Sequence, residues 1–90
     1  MYTKQKETLM KIRQNNDPYN VGDNIRKYRI QNHLTQEQTI IKMQLLGIEI
    51  SRSIYSQIEC GKYNIRVQEL LALSQIFQVD IGAFFDGMTL

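Results

Sequence analysis

This chain is poor in histidine and cysteine, the side chains that most often bind zinc or act in nucleophilic catalysis. There is one histidine, His33, and one cysteine, Cys60. A structural zinc site needs a full set of such ligands, and a nucleophilic cysteine or serine needs a base that a third group orients. One histidine and one cysteine supply neither arrangement. The sequence therefore predicts no enzymatic activity, no metal site and no cofactor.

A different chemistry is indicated between Thr35 and Lys62. The polar side chains in the second half of this stretch are Arg52, Ser53, Ser56 and Gln57. In the DNA major groove arginine reads guanine, glutamine reads adenine, and serine bonds to either. The apolar residues among them are Ile54, Tyr55 and Ile58. The pattern fits a helix that reads base edges, although a solvated amphipathic helix would show a similar one.

Five helical patterns and no useful strand alternation surround these residues. The first helix is predicted from about Val21 to Asn32, with Asn20 and Asp23 resembling a capping box. The second begins after Thr35, a good N-cap, and ends near Gly47. Its apolar face is formed by Ile40, Met43 and Leu46.

The later helices are shorter. The third begins after Ser51, runs through Glu59 and is closed by Gly61. The fourth is predicted over residues 67–77, and Asp80 caps a short fifth helix. The fifth helix carries Ile81, Phe84 and Phe85. Five short helices with short links predict a compact all-α domain.

Residues 1–19 differ from the rest, because they are polar and end at Asp17-Pro18, a pair that favours a turn. Leu9, Met10 and Ile12 could form a weak helical face. The segment is either a tail or a short extra helix ahead of one domain at residues 20–87.

Composition places the chain among small globular domains. Hydrophobic residues make up 42% and charged residues 22%, and a chain of this length forms one modest core. No apolar run approaches the ~20 residues of a membrane span, and no signal peptide is visible. A lone cysteine fits a reducing compartment. We expect a cytoplasmic protein without a membrane partner.

The formal charge of +2 is unevenly distributed. Residues 1–33 hold seven basic and three acidic side chains, and residues 34–66 hold four basic and three acidic ones. Residues 67–90 hold three acidic side chains and no basic one. A basic front and an acidic, apolar end suggest a polyanion at one end and a protein contact at the other.

Two runs of the sequence carry the motifs of a known family. The first is Ile25-Arg-Lys-Tyr-Arg-Ile-Gln-Asn-His-Leu-Thr-Gln-Glu-Gln38, and the second is Ile50-Ser-Arg-Ser-Ile-Tyr-Ser-Gln-Ile-Glu-Cys-Gly-Lys62. Together with Leu70-Leu-Ala-Leu73, Val79-Asp-Ile81 and Phe84-Phe85, they resemble the lambda-repressor-like (Cro-type, XRE family) helix-turn-helix domain. The resemblance covers about residues 20–87 and implies a five-helix domain that binds double-stranded DNA.

The resemblance also implies roles for individual residues. Gln36 falls where the family contacts a phosphate, the recognition helix follows Ser51, and the loop after Gly61 tracks the DNA backbone. The residues assigned to DNA are Gln36, Ser51, Arg52, Ser53, Ser56, Gln57, Lys62 and Asn64. Arg29 and Glu59 match a family pair inside the fold, so we expect a half-buried structural ion pair rather than DNA contacts.

Three departures from the family pattern affect the geometry. His33 replaces a usual glycine, which predicts a strained cap at positive φ. The link between the second and third helices is longer than the tight turn of about 3–4 residues. We expect the second helix to gain a turn, with Leu45 and Leu46 added to the core. Gln78 also replaces a usual glycine.

Three functions fit the sequence. The first is a sequence-specific transcriptional repressor that binds a palindromic operator without a small-molecule ligand. The second is an antitoxin, or a restriction-modification or mobile-element controller, with the same domain. The third is a protein-interaction module without DNA binding. For the first, we expect a homodimer through the C-terminal helix, with two recognition helices roughly 34 Å apart. The apolar residues of the C-terminal helix and of the segment after it are Ile81, Phe84, Phe85, Met88 and Leu90.

Overall fold

The computed structural model describes residues 20–88, which fold into four α-helices and one 3₁₀ helix without a strand. The elements are α1 (Gly22–Gln31), α2 (Gln36–Leu45), α3 (Arg52–Cys60), α4 (Val67–Phe77) and the 3₁₀ helix (Ile81–Phe85). The predicted compact all-α class is confirmed. The fifth element is 3₁₀ rather than α, and the Asp80 side chain forms no cap bond to it. The predictions for residues 1–19 lie outside the described residues.

Side-chain caps start α2 and α3 where the sequence predicts them. The Thr35 hydroxyl accepts from the Gln38 N–H at 3.0 Å, and the Gln38 side chain accepts from the Thr35 N–H at 2.9 Å. Ser51 Oγ accepts from the Ile54 N–H at 3.1 Å. These bonds satisfy N–H groups that have no partner inside a helix.

The start of α1 differs slightly from the prediction. Asn20 Oδ1 accepts from the Gly22 N–H at 2.7 Å, but Asp23 is exposed and adds no bond that would complete a capping box. Helix α1 begins at Gly22, one residue after the predicted start.

All four α-helices end on a left-handed residue. The four are His33 (φ 58°), Gly47 (φ 87°), Gly61 (φ 76°) and Gln78 (φ 57°). At the end of α2, for example, the Ile48 N–H donates to the Met43 carbonyl at 2.9 Å and the Gly47 N–H to that of Gln44 at 2.9 Å. This is the bonding of a Schellman motif. The predicted ends at Gly47 and Gly61 and the positive φ of His33 are confirmed.

The helices pack around one core. α3 packs against α1 and α2, α4 packs against α2 and α1, and the 3₁₀ helix covers α1 and α4. The core residues are Ile25, Ile40, Met43, Ile50, Tyr55, Ile58, Leu70, Leu73, Phe77 and Phe84. Gly22 allows α1 to approach α3, because a Cβ there would collide with the backbone oxygens of Ile58 and Glu59.

The prediction that Leu45 and Leu46 join the core is wrong. Helix α2 does extend to Leu45, but this side chain is 81% exposed and that of Leu46 is 47% exposed. The left-handed turn at Gly47 redirects the chain, and Ile48 and Ile50 then pack on the core in their place.

The C-terminal segment is held against α1. The ring of Phe84 packs edge-to-face with those of Tyr28 and Phe77, with centroids 6.1 and 6.3 Å apart. Asn24 Nδ2 donates to the Phe84 and Asp86 carbonyls at 2.9 and 3.0 Å, and the Tyr28 hydroxyl donates to the Asp86 carboxylate at 2.9 Å.

The apolar surface predicted at this end is smaller than expected. Phe84 is fully buried, so it cannot take part in a self-association surface. Phe85 is 45% exposed and Met88 is partly buried, while Leu90 lies outside the described residues. Phe85 is therefore the main exposed apolar side chain of the segment.

Candidate nucleic-acid interface

Helix α3 has one face in the core and one face outside. Tyr55 and Ile58 are buried among the core residues, and Ile54 packs against them. The sequence-predicted DNA residues occupy the remaining surface of the helix and its N-cap. Ser51, Arg52 and Ser53 are exposed, whereas Ser56 and Gln57 are partly buried. The outer face of α3 and its N-cap thus carry four short or amide-bearing polar side chains and one guanidinium group, that of Arg52.

Arg52 is connected to the interior through Gln36. Arg52 Nε donates to Gln36 Oε1 at 3.4 Å, and Gln36 Nε2 donates to Glu59 Oε1 at 3.1 Å. This leaves Nη1 and Nη2 of Arg52 without a hydrogen-bond partner among the described residues. A guanidinium held in this way can still offer a pair of donors to guanine O6 and N7.

The Gln36 side chain bonds to two other side chains in the structure, and its phosphate contact stays a prediction. The prediction gives it a phosphate contact at the start of α2, and the residue is indeed the first of that helix. Its side-chain amide is partly buried and is bonded on both sides, to Arg52 and to Glu59. The amide therefore links Arg52, by a long contact, to Glu59.

Below Gln36 lies the ion pair that the sequence predicts. Arg29 Nε and Nη2 donate to the two carboxylate oxygens of Glu59 at 2.6 and 3.1 Å, and Nη1 donates to the Leu34 carbonyl at 2.8 Å. The side chain of Glu59 is only 3% exposed. The hydrogen bonds from Arg29 to Glu59 raise the pKa of Arg29, so the guanidinium stays charged. The half-buried ion pair that the sequence predicts is therefore present.

One buried hydroxyl beside this pair is unsatisfied. The side chain of Tyr55 is fully buried, and its hydroxyl makes no hydrogen bond within the described part of the chain. Burial, and secondarily the neighbouring Glu59, raises the pKa of Tyr55. The phenol therefore stays neutral and acts as a core side chain.

The loop after α3 carries the other two predicted DNA residues, Lys62 and Asn64, and both are exposed. The Lys62 N–H donates to the Gln57 carbonyl at 2.9 Å and closes the helix. Between the two, Tyr63 is partly buried, and its hydroxyl donates to Glu69 Oε2 at 3.2 Å.

Glu69 is the residue that the sequence reading missed. It is a buried carboxylate of α4 whose Oε1 accepts from the Arg66 N–H at 2.8 Å while Oε2 accepts from Tyr63. It therefore ties the 61–66 loop to α4. A glutamate three residues after a helix N-cap is part of the capping-box pattern. The spacing of Arg66 and Glu69 matches this pattern, so the sequence did contain a signal for it.

The structure thus brings the predicted residues to two positions. Gln36, Arg52 and Ser53 lie near the start of α3, where Gln57 Nε2 also approaches Ser53 Oγ at 3.4 Å. Lys62 and Asn64 follow the end of the helix. Among residues 20–88 the only ion pair is Arg29 with Glu59, so neither Arg52 nor Lys62 is neutralised by another described side chain.

The described residues were also compared with the requirements of a metal site and of a membrane-spanning helix. Within residues 20–88, no three histidine, cysteine, aspartate or glutamate side chains form a group that could hold a metal ion. No helix of this part of the chain combines the length and apolar character needed to cross a membrane.

Comparison with known proteins adds no assignment. A scan against models of protein families finds no match for this chain, and a search of curated proteins finds no relative. What the chain does must therefore be inferred from its own residues and their geometry.

Proposed function

We propose that this chain is a sequence-specific DNA-binding transcriptional regulator of the helix-turn-helix class. In this proposal α2 and α3 are the paired helices, joined by residues 46–51, and α3 enters the major groove. The observation that carries the proposal is the two-sided construction of α3. Tyr55 and Ile58 fix the helix in the core, so its outer face can approach a ligand without the helix unfolding or turning.

The chemistry of that outer face supports base reading. Arg52 lies in the first turn of α3, the part of a recognition helix that reaches base edges. Its Nε lies 3.4 Å from Gln36 Oε1, a long contact that leaves the rest of the guanidinium available to a base edge. Ser53, Ser56 and Gln57 can donate or accept, as the edges of several base pairs require.

The loop beyond α3 supports backbone contacts. Lys62 supplies a positive charge and Asn64 an amide, and both side chains are exposed on a segment that Glu69 holds in place. Such contacts set the position of a protein on DNA without reading sequence. In the same proposal the regulator represses from a palindromic operator as a homodimer and acts in the cytoplasm.

Antitoxins and controllers of restriction-modification systems or mobile elements would use the same DNA interface, so they are variants of this proposal. A protein-interaction module is a separate candidate. It is favoured by one observation, the exposed leucines Leu45, Leu46 and Leu71 on a face away from the outer side of α3.

Selection of bound duplexes from random DNA tests the proposal. The full chain should enrich one sequence motif, and its affinity for that motif should fall steeply as salt rises, because phosphate contacts release counterions. Salt-insensitive or undetectable binding to every duplex would refute DNA binding. It would leave the interaction module as the better description.

A further inference from the structure

A surface distinct from the outer face of α3 lies between the end of α2 and α4. We call it the α2–α4 face, and it is lined chiefly by Leu45, Leu46, Ile48, Leu71, Gln75 and Ile76. Two shallow grooves of about 420 and 390 Å³ cross it, and they share Leu46 and Gln75. The shared residues make the two grooves one continuous surface.

Three leucines of this face are exposed. Leu45 is 81% exposed, Leu46 is 47% exposed and Leu71 is 50% exposed. Single exposed apolar residues are ordinary, but contiguous apolar patches on soluble proteins mark interaction sites. The face therefore calls for a partner that presents apolar groups.

The polar residues of the face indicate which partner. Lys42, at one edge, is the only charged side chain among those lining the grooves. The other polar side chains there are Gln68, Ser74, Gln75 and Gln78. Amides and hydroxyls both donate and accept hydrogen bonds. They can pair with identical groups, whereas like charges that meet would repel each other.

This composition is self-complementary. In a two-fold dimer the same patch of both copies meets itself, so residues near the axis face their own type or a close neighbour. Leucine against leucine and glutamine against glutamine satisfy that condition. A partner with a charged recognition surface would find only Lys42 to bind on this face.

We propose that the α2–α4 face is the contact through which two copies of this chain form a two-fold dimer, with Leu46 and Gln75 near the axis. This inference rests on the proposed function and specifies the dimer contact. It places the contact on the α2–α4 face and not on the C-terminal helix, because Phe84 of that helix is buried in the core. The dimer forms without DNA, so its failure and the failure of DNA binding are separate results.

Sedimentation velocity of the full chain tests the proposal. The wild type is compared with a Leu45→Glu/Leu71→Glu variant and with Phe85→Glu as a control. Phe85 is a suitable control because its exposed fraction, 45%, is similar to the 50% of Leu71. It lies on the 3₁₀ helix and does not line the α2–α4 face. A reductant is kept present, because the exposed Cys60 could join two chains by a disulfide.

The wild type and Phe85→Glu should sediment as dimers at micromolar concentration. The double variant should dissociate about 30-fold more readily or worse, the effect of losing a hot-spot residue. Circular dichroism checks that the helices persist. Should the double variant unfold, Leu45→Glu alone answers the question, because a side chain this exposed supports little of the fold.

A mixing experiment distinguishes direct contact from an indirect effect. Equal amounts of Leu45→Glu/Leu71→Glu and Leu45→Lys/Leu71→Lys should form mixed dimers, because each carboxylate then faces an ammonium group across the two-fold axis. A wild type that stays monomeric at about 100 µM, well above a micromolar dissociation constant, would overturn the proposal. So would dissociation by Phe85→Glu alone, or a mixture that remains monomeric.

Discussion

The α1–α3 junction and the α2–α4 face differ in how completely the chain satisfies its own groups. At the junction, the guanidinium of Arg29 and the carboxylate of Glu59 bond to each other, and Gln36 links Glu59 to Arg52. On the α2–α4 face, Leu45 stands almost fully in solvent. The two charged groups of the junction are satisfied internally, and the apolar side chains of the α2–α4 face are not covered.

The difference follows from the cost of leaving each kind of group without a partner. A buried, unpaired charge costs several kcal/mol, about 3–5 when one partner of a buried pair is removed. An exposed leucine forgoes only its burial, about 1.5–3 kcal/mol. A fold can therefore tolerate exposed leucines, and a second copy can cover them later. It cannot tolerate a bare Glu59.

The largest effect is expected from removing one side of the junction. Glu59→Ala leaves Arg29 partly buried without its carboxylate, and the free energy of unfolding should fall by about 3–5 kcal/mol. Urea denaturation followed by circular dichroism measures it. DNA binding should decline only as the folded fraction declines.

Glu59→Gln is the companion variant: it keeps the shape and one acceptor oxygen but loses the charge, so it should also lower the free energy of unfolding, though less than Glu59→Ala. Unchanged unfolding of Glu59→Ala together with lost DNA affinity would mean that Glu59 belongs to the interface and not to the junction.

The second-largest effect is expected at Arg52, which contacts the junction through Gln36. Arg52→Ala should weaken binding to the selected motif by about 1–3 kcal/mol and relax the base preference at one position of each half-site. Its stability should change little, because Arg52 is exposed. Titrations with the selected duplex and with random DNA measure the ratio of the two affinities, which should fall in this variant.

Lys62→Ala provides the contrasting variant. It should weaken both titrations alike, since a lysine that contacts phosphate reads no sequence. Equal losses from Arg52→Ala on both duplexes would show that Arg52 contacts phosphate too.

A smaller effect is expected at the loop that Glu69 holds. Glu69→Ala removes the acceptor for the Tyr63 hydroxyl and the Arg66 N–H, and stability should fall by about 1–2 kcal/mol. With Lys62 and Asn64 less well positioned, affinity for selected and random DNA should fall together.

Tyr63→Phe, which removes one of the two bonds, should show part of the loss of stability, and Glu69→Gln should recover most of it. A Glu69→Ala protein with wild-type unfolding and DNA affinity would remove Glu69 from the interface.

The smallest effect is expected on the α2–α4 face itself. Leu45→Ala, studied at a protein concentration too low for dimers, should change the free energy of unfolding by no more than about 0.5 kcal/mol. Met43→Ala, two residues earlier in α2 and fully buried, should cost about 2–5 kcal/mol. Similar costs for the two variants would show that Leu45 is packed after all, and the contrast between the two regions would fail.

The helix starts and ends were predictable because they depend on a few neighbouring residues. Thr35 with Gln38, Ser51, and the left-handed Gly47 and Gly61 act within one turn of chain. The Arg29–Glu59 pair was predictable from the resemblance, because both residue types occur at matching positions. Glu69 was not predicted, because the residue at the N-cap of α4, Arg66, is not of a type that usually caps a helix.

The burial of the leucines could not be read from the sequence. Leu45 and Leu46 have the composition of core residues, and the helical period of α2 allowed Leu46 to continue the face of Ile40 and Met43. Whether they are covered depends on where α4 crosses α2 and on the chain direction after Gly47. Both depend on contacts between residues far apart in the sequence, and a local hydrophobic pattern does not predict such contacts.

By itself, then, the sequence determined the all-α class, the caps of α2 and α3 and the polar face of α3. Each of these follows from short-range bonding or from the 3.6-residue period. Only the tertiary structure decided that Phe84 is inside, that Leu45 is outside and that Gln36 ties Arg52 to a buried ion pair. The reason is physical: burial and contact between distant residues depend on how the helices cross, and the crossing is chosen by the packing of the whole core.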